Sequence, residues 1–85
     1  MNAEDTEELR RLVRKHLAER PSVALNANSI QSAVAREIRC TIPEVEDACQ
    51  LFKGLGHIEQ IHNTFGSVKY FKITATGLLA HERGE

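Results

Sequence analysis

The sequence predicts a mainly α-helical domain closed by a small β-hairpin. Three observations carry this. Thr41 and Glu44 stand at capping-box spacing, Pro43 falls in the first turn, and Val45, Ala48, Cys49, Phe52 and Leu55 then recur at helical spacing. Gly54 and Gly56 end that helix, and the chain turns at once to a β-type pattern with Ile58 and Ile61. A turn-rich run, Asn63-Thr64-Phe65-Gly66-Ser67, separates a strand over His57 to His62 from a returning strand over Val68 to Ile73.

The remaining elements follow in chain order. Leu9, Leu12, Val13, His16 and Leu17 form an amphipathic stripe, which predicts a first helix over Thr6 to Arg20. Asp5 or Thr6 caps it, Glu7 and Glu8 suit the positive end of its dipole, and Pro21 stops it. Ser22 to Leu25 reads as a brief edge strand. Asn26 or Asn28 caps a second helix that runs to about Arg39 and buries Ile30, Ala33, Val34 and Ile38. So short a connection to Thr41 forces the second and third helices to cross steeply, as in a helix-turn-helix. In the returning strand Phe71 and Ile73 point inward, Tyr70 and Lys72 outward. Thr74 caps a last helix, Ala75 to about Glu82, anchored by Leu78 and Leu79.

Composition narrows the function classes. The 85 residues make one domain, 1–85, without room for a separate substrate domain, which argues against an enzyme. No nucleophile elbow, phosphate loop or metalloprotease motif occurs. Cys40 and Cys49 are too few for a disulfide scaffold and read as reduced thiols. The four histidines lack the close pairing of a zinc site, and His57 and His62 fall on opposite faces of their strand, so no metal or other cofactor is expected. There is no membrane-length apolar run, and the acidic start of the chain is the reverse of a signal peptide; the expectation is a cytoplasmic protein.

Two local patterns resemble the winged helix-turn-helix superfamily. Val45, Ala48, Cys49, Phe52, Leu55, Gly56 and Ile58 are similar to that family's third helix running into the first wing strand. Tyr70-Phe71-Lys72-Ile73-Thr74 followed by Gly77 is similar to its second wing strand and the short helix beyond. The resemblance covers nearly the whole chain. It implies a small DNA-binding transcription regulator, with the third helix in the major groove of double-stranded DNA and the wing on the backbone. The alternative is a protein-interaction module whose acidic third helix docks on a basic partner.

On the DNA reading, Gln50 contacts adenine and Lys53 contacts phosphate or guanine. Asn63, Thr64, Lys69 and Lys72 of the wing donate to phosphates, and protonated His62 adds charge. Arg36 and Arg39, at the end of the second helix, lie near the backbone. Phe65 at the wing tip is an exposed aromatic. Glu44, Glu46 and Asp47 depart from the family's basic or polar recognition face; they equally suit the positive N-terminus of a helix. Arg10, Arg11, Arg14 and Lys15 of the first helix are expected to be neutralised within it by Glu7, Glu8 and Glu19. A homodimer is expected, because one such domain buries little DNA surface.

Overall fold

Asn2, not Asp5 or Thr6, starts the chain's first element. Its side chain accepts a hydrogen bond from the Asp5 amide at 2.8 Å and opens α1 (Ala3–Ala18) three residues earlier than the apolar stripe indicates. Glu4 and Asp5 then occupy the first turn, where the helix dipole favours acids. The structure is a computed structural model that describes residues 1–62 and 66–84, with the backbone alone of His62. The expectations for Asn63, Thr64, Phe65 and the His62 side chain lie outside the described residues.

After α1 come β1 (Leu25–Asn26), α2 (Ala27–Val34), α3 (Ile42–Gly54), β2 (Ile58–His62), β3 (Lys69–Ile73) and α4 (Ala75–Glu82). The hairpin is enlarged to a three-stranded antiparallel sheet in the order β1-β3-β2. Leu25 pairs with Phe71 and Asn26 with Tyr70, while β2 pairs with β3 from Ile58↔Ile73 to His62↔Lys69. The edge strand is thus real but lies later than Ser22 to Leu25. Asn26 both ends it and caps α2, accepting from the Ser29 amide at 2.8 Å.

α2 ends at Val34, not near Arg39. Beyond it the chain keeps one tightened turn, with Glu37 and Ile38 amides both bonded to the Val34 carbonyl. The cause is tertiary. The Gln31 side chain donates to the Cys40 carbonyl at 2.9 Å and ties the incoming strand of chain across the end of α2. Ile38 still packs against the core from this turn.

α3 begins with the expected capping box. The Thr41 amide and hydroxyl both donate to Glu44 Oε1, at 2.8 and 2.9 Å, and the Glu44 amide donates to Thr41 Oγ1 at 3.3 Å. Val45, Ala48, Cys49 and Phe52 are buried as the stripe requires. Leu55 is not; it is 56% exposed. The helix has already ended there, and the next core position goes to Ile58 instead. The exit is a Schellman motif: Gly56 takes a positive φ of 78°, its amide bonds to Lys53 O, and the His57 amide bonds to Phe52 O. Gly54 needs no such conformation.

The core lies between the inner face of the sheet and α1, α2 and α3, around Leu17, Ile30, Val45, Cys49, Ile58 and Phe71. β3 alternates as expected, with Phe71 and Ile73 buried and Lys69 to Lys72 otherwise outside the core. α4 is seated differently from the expectation. Leu78 packs partly on the core, Leu79 is 49% exposed, and the buried positions are Gly77 and Ala80. Among the described residues no helix is long and apolar enough to cross a membrane.

Two stability predictions arise from these junctions. A Cβ at Gly77 would overlap the His57 carbonyl, a backbone atom that has no rotamer by which to retreat. Gly77→Ala is therefore expected to lower stability by about 1–3 kcal/mol or more, read as a lower urea midpoint. Thr41→Ala removes the cap and is expected to cost about 1 kcal/mol, measured the same way.

Candidate nucleic-acid interface

The exposed side of α3 presents Glu46, Asp47, Gln50 and Lys53. Glu44 does not belong with them. Its carboxylate is consumed by Thr41, whose backbone and side-chain donors hold it below the usual carboxylate range. The acidity of the helix entrance is thus partly structural.

Gln50 and Lys53 meet on a residue the sequence reading passed over. Gln60 of β2 takes a hydrogen bond from Gln50 Nε2 at 3.2 Å and from Lys53 Nζ at 3.3 Å on its Oε1. The three side chains form a polar ledge where α3 approaches the sheet. Strand parity was the available signal: Gln60 stands two residues after Ile58 on the same face of β2, and its partner across the ladder is buried Phe71.

The same parity separates the two wing lysines. Lys69 shares a face of β3 with Phe71 and Ile73, whereas Lys72 sits on the other, opposite Glu59. Three residues apart on a strand, they point to opposite sides. Lys69 joins α3. Together with Asn26, Asn28, Glu46, Asp47, Gln50 and Ser67 it lines a cleft of about 350 Å³ between the start of α2, α3 and the wing. Lys72 is outside this cleft.

The arginines scatter. Arg36 follows the end of α2 and lines a separate cleft with Lys15, His16, Glu19, Arg20 and Glu37. Arg39 is exposed in the short link before Thr41. Neither ends a helix, because α2 has stopped at Val34. In α1 the expected internal neutralisation holds for Arg11, whose Nη2 forms an ion pair with Glu8 Oε1 at 2.6 Å. Arg14 is only 5% exposed, and its guanidinium lies 5.3 Å above the centre of the Phe52 ring. Its helical position beside Val13 and Leu17 was the sequence signal.

Charge is divided along the chain. Residues 10–39 carry seven Arg and Lys against Glu19 and Glu37, while residues 41–62 carry Glu44, Glu46, Asp47 and Glu59 against Lys53 alone. The near-neutral total conceals this separation.

Other chemistry finds little footing. Burial pushes the Cys49 thiol up to about 12, with Glu46 adding to the effect, and burial also raises Cys40. Neither is a nucleophile near neutral pH. Among the described residues no group of three or more His, Cys, Asp or Glu is placed to hold a metal ion.

No protein-family model and no curated protein sequence matches the chain. Solved structures do. A mutant of MepR from a multidrug-resistant S. aureus clinical isolate superposes with a TM-score of 0.70 at 17% identity, covering 89% of this chain and 53% of that one. F-93 of SSV1 superposes with a TM-score of 0.67 at 13% identity, covering 88% of this chain and 79% of that one. This chain therefore spans about half the length of the MepR chain. Identities this low speak for the fold alone, and they agree with the helices, capped third helix and three-stranded sheet described above. The chain has the winged helix-turn-helix fold.

Proposed function

We propose that this domain binds duplex DNA as part of a transcription regulator, with α3 in the major groove and the start of β3 against the backbone. The observation that supports it best is the ledge of Gln50, Lys53 and Gln60 beside Lys69, all on the exposed seam between α3 and the sheet. An amide and a cation side by side suit adenine and guanine edges respectively. In the winged-helix arrangement this seam faces the groove. Lys69, Arg39, Asn63 and Thr64 serve as phosphate contacts, and Arg36 and Lys72 are placed for secondary ones at most. Glu46 and Asp47 oppose phosphates but accept from cytosine amines, so they bias sequence choice at a cost in affinity. A homodimer supplies the second half-site, and exposed Leu79 is available for its seam.

A second reading is favoured by Glu46 and Asp47 alone. They face the cleft between α3 and the wing, where a basic segment of another protein would find two carboxylates and the amides of Asn26 and Asn28.

Fluorescence anisotropy against a mixed pool of duplexes separates the two. Binding through three cations, Lys53, Lys69 and Arg39, predicts a log–log salt slope of about −3. Lys53→Glu and Lys69→Glu are each expected to weaken binding and flatten that slope by about 1, while Lys72→Glu, on the opposite face of the sheet, leaves both close to wild type. No binding at low salt would sink the DNA reading. Loss of a co-purifying protein on Asp47→Lys would favour the second.

A further inference from the structure

Gln60 Oε1 accepts from Gln50 Nε2 at 3.2 Å and from Lys53 Nζ at 3.3 Å. One strand residue thus holds the tips of two helix residues. The strand is firm support for this, because Gln60 pairs across the β2–β3 ladder with Phe71, which is buried in the core. Gln50 and Lys53 are exposed on α3, where long side chains otherwise sample many rotamers. Held against a single oxygen, their nitrogens stand no more than two hydrogen-bond lengths apart. That distance spans one or two base-pair steps of about 3.4 Å along a duplex.

The donors and acceptors left over are specific. A glutamine amide has two N–H donors and one carbonyl oxygen. With one donor given to Gln60, Gln50 keeps one N–H and its Oε1, a donor beside an acceptor. Adenine presents the complement in the major groove, the N7 acceptor beside the N6 amine. Guanine presents two acceptors, N7 and O6, and there the Gln50 oxygen would face an oxygen. Lys53 has three N–H donors and no acceptor, and gives one to Gln60. The remaining two match the two acceptors of guanine; against adenine, one of them would face the N6 amine, donor to donor.

We propose that Gln60 is a positioning residue for sequence readout: it sets Gln50 for adenine and Lys53 for guanine, one or two base pairs apart. The proposal rests on the DNA reading of the α3 seam. A loose Gln50 would lose rotamer freedom on binding and would admit other donor–acceptor pairings. The contact with Gln60 fixes both side chains before DNA arrives.

The test is selection of bound duplexes from a randomised pool by the whole chain, with anisotropy of the pool at several salt concentrations. Wild type is expected to enrich an adenine and a guanine one or two pairs apart, each by about tenfold, the order of a good bidentate contact. Gln60→Leu keeps the bulk of the side chain and removes the acceptor. It is expected to reduce both preferences several-fold and to weaken binding to the preferred duplex, with the salt slope unaltered because no cation is lost. Gln60→Glu keeps an oxygen in place and is expected to keep the adenine preference, at lower affinity from its charge. Combining Gln50→Ala with Gln60→Leu is expected to lower the adenine preference no further than Gln50→Ala alone, since both act through one contact. Should Gln60→Leu not fold, Gln60→Ala, which also lacks the acceptor, takes its place. Wild-type enrichment of other bases, undiminished preferences without the acceptor, or equal loss in Gln60→Glu overturns the proposal while salt-dependent binding to the pool leaves the DNA reading intact. Absence of wild-type binding at low salt overturns both.

Discussion

Four elements of this small domain are fastened to one backbone dipeptide, Gly56-His57. The positive φ of Gly56 lets the His57 amide reach back to Phe52 O and end α3. The His57 carbonyl then accepts from the Thr74 amide at 2.9 Å, and the Gly56 carbonyl from the Thr74 hydroxyl at 2.6 Å. That hydroxyl in turn accepts from the Gly77 amide at 3.1 Å, so one side chain caps α4 and ties it to the turn behind α3. Ile58, the next residue, opens β2 opposite Ile73, the last residue of β3. The end of α3, the start of β2, the end of β3 and the start of α4 therefore share one hydrogen-bonded knot. A chain of this size buries only roughly 60–65% of its unfolded surface, so satisfied backbone groups at such a junction matter more than they would in a larger core.

This knot also builds the exposed seam. Because α3 ends abruptly and β2 starts two residues after Gly56, β2 runs back alongside the helix it follows. Gln60 is thereby brought to Gln50 and Lys53, ten and seven residues earlier in the chain. The inner face of β3 places Lys69 at the same seam through its pairing with His62. On the far side of α3, the same turn presents the His57 ring to Phe52 and Arg14. One junction thus places the polar ledge on one flank of α3 and the arginine–histidine cluster on the other.

Electrostatics temper how the seam is read. The entrance of α3 looks strongly acidic as a string of letters, but Glu44 is a cap and only Glu46 and Asp47 face the cleft. Conversely the basic residues of α1 do not form one solvated patch. Arg11 is taken by Glu8, Arg14 is buried against Phe52, and Lys15 lines the cleft that Arg36 shares. Net charge per segment describes this chain less well than what each charged group touches.

Most of the architecture was legible because it rests on local physics. The capping box at Thr41, the stripe of Val45, Ala48, Cys49 and Phe52, the glycine stop and the inward Phe71 and Ile73 depend on residues within a few positions of one another, and periodicity records them. Errors came wherever a distant contact overrode the local pattern. Gln31 reaching Cys40 ended α2 early and moved Arg36 and Arg39 off a helix; the turn at Gly56 gave Leu55's core position to Ile58; Gly77, seated on His57, swung Leu79 outward. The candidate site divides in the same way. Gln50, Lys53 and Lys69 were named from chemical type, but that they share a ledge with Gln60 while Lys72 faces the opposite side follows from strand register, which is a pairing between chain segments. Arg14 is the clearest case. Its sequence marks a cation on a helix, and only the convergence of α1, α3 and α4 makes it a buried donor between two imidazoles, because donors and acceptors far apart in the chain become partners only when the fold removes water from between them.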